Sequence, residues 1–310
     1  MPEPSSTAMP DLDLTGEHVL VTGGAGFIGR SVVAGLAAAG AKVSIVDLLP
    51  STASGGESIV GDLCDPAVRD AAVTPDLTGI VHLAAFTSVL GSLRDPAAVH
   101  RVNVEATAGL LELARLRGVP RFVLASTNAV TGDVGDTPIH EELPIRPLTP
   151  YGATKAAGEM LLSGYAGGYG MTTCALRLTN VYGPGMAHKD SLIPRLMRAV
   201  RDDGVIQVYG TGEQRRDLVH VSDVVAGLMV AWRSAHVGPL IIGTGRSVSV
   251  LDIIDAVAKA TGTPIRTEHV PAKPGEMPAV VVRTDRAAAL GYSPAMSLED
   301  GLVTVWDEFR

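Results

Sequence analysis

The sequence predicts an α/β protein in which a doubly wound parallel sheet carries a smaller, mixed α/β C-terminal lobe. Three observations lead there. From residue 17 to residue 123, short β-branched runs alternate with Ala/Leu-rich stretches, the rhythm of strands and helices that cover both faces of a parallel sheet. The first of these runs, HVLVT, empties into a glycine cluster where strand should become helix. Beyond Gly183 the rhythm breaks into short helical and strand-like pieces with the Pro/Gly-rich loop PAKPGEMP, which marks a second, less regular lobe.

The elements follow in order. Strands are expected at 18–22, 42–46, 58–60, 80–84 and 121–125, where consecutive apolar residues suit strands buried on both faces. A helix over 26–39 should stop at Gly40, a left-handed cap, and another should open at Asp95-Pro96, end near Leu116 and stop at Gly118. Pro150-Tyr151 opens a helix to about residue 165, and 174–183 reads as a strand plus turn. Helices over 191–201, 222–233 and 249–261 then alternate with strand-like segments at 205–208, 240–242 and 279–282. The expected organisation is a disordered Pro/Ser-rich tail over 1–16, a first domain over 17–183 to which 217–243 returns, and a second lobe from 184–216 and 244–310.

Composition narrows the function. At 310 residues and 46% hydrophobic, with 19% charged, the chain has ample material for a packed core and is not a disordered or fibrous sequence. Its net charge of −8 repels phosphate backbones, so nucleic acid is not an expected partner. The first residues lack a basic and an apolar segment, and no run of eighteen apolar residues occurs, so no membrane partner and a cytoplasmic protein are expected. Cys64 and Cys174, far apart, read as buried thiols.

Two motifs carry chemistry. In Gly23-Gly24-Ala25-Gly26-Phe27-Ile28-Gly29, glycines stand at i, i+3 and i+6. Gly23 permits a tight turn, Gly26 lets the backbone approach a pyrophosphate, and Gly29 allows close helix packing, with the helix N-terminus facing the anion. With the strand before, the helix after and Asp47 ending the next strand, this is a Rossmann-type dinucleotide loop. Asp47 would accept hydrogen bonds from the adenosine ribose and repel a 2′-phosphate, which favours NAD over NADP. Farther on, Tyr151 and Lys155 stand at i and i+4 at a helix start, on one face. A phenol with a pKa near 10 becomes a usable acid/base only if a nearby lysine and a cationic ligand together favour its phenolate by roughly 4 kcal/mol. His82, His188 and His220 lack spaced partners, so no role and no metal is assigned to them.

The ordered set TGGAGFIG (22–29), GDL (61–63), HLAA (82–85), VN (102–103), AST (125–127), PYGATK (150–155), RLTNVYGP (177–184) and RRDLVHVSDV (215–224) resembles the extended short-chain dehydrogenase/reductase family. Within it the sequence is similar to the nucleotide-sugar epimerase/dehydratase group typified by UDP-glucose 4-epimerase, over about residues 17–305. The resemblance implies a bound NAD, with Asp62 and Leu63 at the adenine. Leu83, Ala84, Ala85 and Thr87 would line the cofactor channel, and Asn103 would support the site. Tyr151 and Lys155 would be the catalytic pair, Thr127 the hydroxyl that positions the sugar oxygen, and Asn180 and Arg216 the contacts to a nucleotide diphosphate.

Three departures from the group's pattern stand out. Where dehydratases carry Thr-x-Glu-Val-Tyr-Gly, this chain has Thr127-Asn128-Ala129-Val130-Thr131-Gly132, so the acid and the tyrosine are both replaced. Lys273, before Pro274-Gly275-Glu276, stands where relatives place a phosphate-binding arginine. The implied reaction is NAD-dependent 4-epimerisation of a UDP- or dTDP-hexose through a transient 4-keto sugar. Net oxidoreduction at C4, dehydration and a non-catalytic dinucleotide sensor are the rivals. A homodimer is expected from the two long helices, with Val99, Val102, Leu110, Leu113 and Leu116 as its apolar stripe unless that stripe faces the sheet.

Overall fold

The computed structural model describes residues 12–51, 56–135, 137–272 and 280–310. Lys273 and residues 1–11 lie outside them. Strands β1 (His18–Thr22), β2 (Lys42–Asp47) and β3 (Gly56–Val60) alternate with helices α1 (Phe27–Ala38) and α2 (Pro66–Ala72). Next come β4 (Gly79–His82), α3 (Val89–Arg94), α4 (Pro96–His100), a π turn (Arg101–Glu105), α5 (Ala106–Leu116) and β5 (Arg121–Thr127). After α6 (Pro150–Tyr169) and β6 (Thr172–Leu178), the chain makes β7 (Asn180–Tyr182), α7 (Leu192–Arg201), β8 (Val205–Tyr209), β9 (Arg215–His220), α8 (Val221–Ser234) and β10 (Gly238–Ile242). It ends with β11 (Ser247–Ser249), α9 (Val250–Thr261), β12 (Arg266–Val270), α10 (Asp285–Ala289) and α11 (Leu298–Trp306).

Seven strands form one parallel sheet in the order β3-β2-β1-β4-β5-β6-β10, the expected doubly wound α/β architecture. Successive strands run outward from β1 in both directions, so a crevice opens at the carboxyl ends of β1 and β4, where such folds place their ligands. The strands are apolar on both faces because both are covered. Val19, Val21, Val43 and Ile45 pack with α1 and α8, while Leu20, Ile80, Phe122 and Leu124 pack with α5 and α6. A third core, with Ile193, Leu196, Ile253, Val257 and Leu302, unites α7, α9 and α11 in the second lobe. That lobe also holds the small sheets β11-β9-β7 and β12-β8, while α8 and β10 pack back onto the large sheet.

Several expectations are corrected. Residues 12–16 are not a loose tail, because Leu14 is buried in the first core and its N–H donates to Ala39 O. The strand expected through residue 84 ends at His82. The helix opening at Pro96 is continuous to Leu116 but is broken in register by the π turn. Helix α6 runs past residue 165 to Tyr169, since Tyr165 donates to Glu112 and Arg115 stacks on Tyr169, and it stops at the left-handed Gly170. Segment 279–282 forms no strand among its described residues, only a bridge from Val282 to Ile139. Val99 and Leu110 of the presumed dimer stripe are fully buried, so they face the core. Cys174 is buried, but Cys64 is half-exposed. Among the described residues no helix is long and apolar enough to cross a membrane.

Candidate active site

The glycine loop leaves β1 at a turn that only glycine accepts at its start. Gly23 has φ +71°, and a Cβ there would lie 2.7 Å from Ala84 N. A Cβ on Gly29 would lie 2.0 Å from Gly23 O, so α1 can approach the loop this closely only without a side chain. Asp47 holds the loop from the next strand, accepting from Ala25 N at 3.0 Å and Leu49 N at 3.1 Å. Each carboxylate oxygen keeps a lone pair for a ribose hydroxyl.

Helix α6 grips the end of β5 with three side chains spaced four residues apart. Tyr151 and Thr127 both line the cavity at the end of β5. Lys155 donates from Nζ to Ala125 O at 2.8 Å, and Glu159 accepts from Ser126 Oγ at 2.5 Å. The i, i+4, i+8 spacing puts all three on one helix face. Arg177 on β6 closes the set with a buried, bidentate pair to Glu159. Burial pulls the Lys155 ammonium down to about 8 and pushes the Tyr151 phenol up, the nearby Thr127 side chain opposing that rise. Lys155 touches the β5 backbone and forms no bond with the phenol, so the chain's own residues do not lower the tyrosine as the i, i+4 pairing suggested. With one protein acceptor, the buried ammonium keeps donors for a ligand.

Tyr151 and Lys155 open on a cavity of ≈ 1210 Å³ between the lobes, with Glu159 and Arg177 behind it. It brings together Gly23, Phe27, Ile28, Gly29, Leu83, Thr87, Thr127, Tyr151, Lys155, Asn180 and Arg216. Gly26, Asp47, Asp62, Leu63, Ala84, Ala85 and Asn103 stand outside its wall. Asp62 accepts from Cys64 N at 2.8 Å at the exposed end of β3, and Leu63 is buried in the core. Asn103 is a clamp, accepting from Phe86 N at 2.8 Å and donating to Thr154 Oγ1 at 3.1 Å.

On the second lobe, Asn180 Nδ2 donates to Asp217 O at 3.1 Å and Arg216 donates to Arg215 O, both side chains lining the cavity. Sequence reasoning missed Ser126, Glu159 and Lys189. The spacing from Tyr151 signals Glu159. Nothing local signals Lys189, whose ammonium comes from a loop to lie 5.4 Å over the Phe27 ring. Phe27, the first residue of α1, buries that ring in the second lobe's core.

The model of the NAD dependent epimerase/dehydratase family matches residues 19–243. The chain belongs to that family. It is 33% identical to a dTDP-glucose 4,6-dehydratase of Streptomyces niveus, over 94% of this chain and 93% of the relative. It is equally, 33%, identical to a UDP-glucose 4-epimerase of Mycolicibacterium smegmatis, over 94% and 98%. Among solved structures, the UDP-glucose 4-epimerase of Thermus thermophilus in complex with NAD superposes with a TM-score of 0.86 at 32% identity, over 94% of this chain and 98% of that one. The family is NAD dependent, and the residues here fit that cofactor: a loop that Cβ atoms would fill, a fixed carboxylate at the end of β2 and a buried ammonium with donors to spare.

The departures from the family pattern are also placed. Ala129 sits in a 3-10 turn with its N–H given to Thr127 Oγ1, and Thr131 is buried with its hydroxyl given to Asn128 O. Neither lines the cavity. The cavity's carboxylates, Asp190, Asp202 and Glu268, all come from the second lobe, and the first two pair with arginines of α7. Among the described residues no group of His, Cys, Asp or Glu is arranged to hold a metal ion.

Proposed function

We propose that this family member is a 4-epimerase of nucleotide-diphosphate hexoses, with UDP- or dTDP-hexose as substrate and a 4-keto sugar as intermediate. The observation that carries the reading is the Tyr151–Thr127 pair beside Lys155, on the sheet side of the cavity, where no carboxylate joins the lining. Inversion at C4 moves one proton at one oxygen, and a single acid/base suffices. Dehydration needs in addition an acid at the C6 hydroxyl and a base at C5, and Ala129 stands where the family's dehydratases carry that glutamate.

In this reading Thr127 orients O4 and Tyr151 takes the O4 proton, returning it once the configuration at C4 has inverted. Lys155, fixed to Ala125 O, presents its remaining N–H groups to the cofactor ribose. Asn180 and Arg216 hold the diphosphate, where a guanidinium offers a bidentate fork. NAD, when bound, supplies the hydride acceptor at C4 and a positive charge that favours the phenolate.

The reading is tested by incubating the protein with UDP- and dTDP-hexoses, without added cofactor, in deuterated water and examining the product by NMR. Inversion at C4 with no deuterium at C5 is expected. Deuterium at C5 with loss of the 6-hydroxyl would overturn it in favour of dehydration, and dependence on stoichiometric NADH would overturn it in favour of net reduction.

A further inference from the structure

His82 ends β4 with its ring enclosed, 1% exposed, between β1 and the start of α5. Its Nδ1 lies 2.6 Å from Thr22 Oγ1 and its Nε2 2.9 Å from Thr107 Oγ1. Counting donors settles where the protons sit. The one hydroxyl hydrogen of Thr107 goes to Asn103 O at 2.8 Å, a group that can only accept, so the Thr107 oxygen accepts from His82 Nε2–H. Burial and the positive Lys155 hold the imidazole neutral, down to about 3, so Nδ1 carries no proton. It accepts from the Thr22 hydroxyl, whose oxygen in turn accepts from Ala84 N at 3.2 Å.

The same chain continues beyond Thr107. The Asn103 amide accepts from Phe86 N at 2.8 Å and donates to Phe86 O at 3.1 Å and to Thr154 Oγ1 at 3.1 Å. The Thr154 hydroxyl donates to Tyr151 O at 2.9 Å. Asn103 and Thr107 both belong to the distorted stretch of helix, the former inside the π turn; such turns concentrate at functional sites. No group in this chain is left over, and reversing any one hydroxyl would set two donors or two acceptors face to face.

We propose that His82 is a positioning residue, whose neutral Nε2–H tautomer ties loop 83–87 and, through Asn103 and Thr154, the first turn of α6 to strand β1, so that Tyr151 is held against Thr127. The kinetic part rests on the epimerase reading. The tautomer and the order of the loop do not.

The test uses the NAD-loaded protein with 15N-labelled histidine, and the variants His82→Leu, which removes both hydrogen bonds, and His82→Gln, which keeps a neutral donor and acceptor. Wild type should show the His82 ring protonated at Nε2 only, unchanged between about pH 6 and about pH 8. His82→Leu should speed amide exchange at Ala84 and Phe86 about tenfold or more. Its kcat should fall about 10- to 100-fold with KM for the sugar within about twofold, as small displacements of a reacting group do. His82→Gln should recover most of both.

If His82→Leu does not fold, Thr154→Val cuts the chain at its Tyr151 end and should lower kcat alone, leaving exchange at Ala84 unchanged. A proton on Nδ1, or wild-type kcat in folded His82→Leu or in Thr154→Val, would overturn the proposal. Wild-type protein that turns over no sugar nucleotide would instead defeat the epimerase reading, and the NMR and exchange results would still decide on the tautomer and the loop.

Discussion

The two walls of the cleft are held in different ways. On the sheet side, Lys155 in the wall and His82, Asn103 and Glu159 behind it are each 5% exposed or less and each is bonded to protein groups. The opposite wall carries cations from a loop, helix α7 and strand β9 beside carboxylates and amides. Lys189 is half-buried over an aromatic ring, Arg195 is exposed and paired with Asp190, and Arg216 is half-exposed beside Asn180. The first wall is finished before any ligand arrives, which suits groups that must meet a transition state without reorganising. The second presents exposed charges, which suits recognition of a charged, extended molecule. In the proposed reading, chemistry is built into the sheet and substrate choice is left to the more adaptable lobe.

The largest effect that would break this contrast is on Tyr151. Replacing it with Phe keeps the packed ring and removes only the acid/base hydroxyl, so kcat should fall about 10²- to 10⁴-fold. Calorimetry should show NAD affinity nearly unchanged. More than half the wild-type activity would assign the proton transfer to another residue.

A smaller effect, of the opposite kind, is expected across the cleft. Arg216→Ala should raise KM for the sugar nucleotide about 10- to 100-fold, the worth of one charge-assisted contact, with kcat within about threefold. Steady-state kinetics separates the two. A loss mainly in kcat would mean that this wall too acts on the transition state.

The smallest effect sharpens the contrast through stability. Folded His82 titrates at about 3 and an unfolded histidine near 6.5, so as pH falls below about 6.5 the unfolded chain gains a proton that the folded one refuses. Stability is thus lost on acidification and is independent of this group above pH 6.5. Between about pH 6.5 and about pH 5 the loss is about 2 kcal/mol. Urea unfolding should show that loss reduced in His82→Gln. It should not vanish, because His220, lowered to about 4 by burial, contributes with the same sign. Equal losses in the two proteins would remove His82 from the acid sensitivity.

Much of the first wall was legible because its signals are local. The run HVLVT before three spaced glycines, Asp47 at the end of the next strand and the Tyr151/Lys155 pair each depend on residues a few positions apart, and the structure places them at β1, β2 and the start of α6. Less could be read where an element exists only by virtue of its partners. The strands β9, β11 and β12 are short and partly exposed, and they went unread because three to six residues have no pattern of their own to show. The opposite error occurred at 279–282, an apolar run that finds only one bridging partner among its described residues.

By itself the sequence determined the parallel α/β architecture, the dinucleotide loop and the pair proposed as acid/base, since periodicity, glycine spacing and helix caps act over single turns. Only the tertiary structure decided what those groups experience. It turned Val99 and Leu110 inward, pointed Lys155 at the β5 backbone rather than at the phenol, raised Tyr151 by burial and enclosed His82 between two threonines that lie 85 positions apart in the chain. The physical reason is that desolvation and hydrogen-bond direction belong to the space around a side chain, and that space is filled by residues distant in sequence.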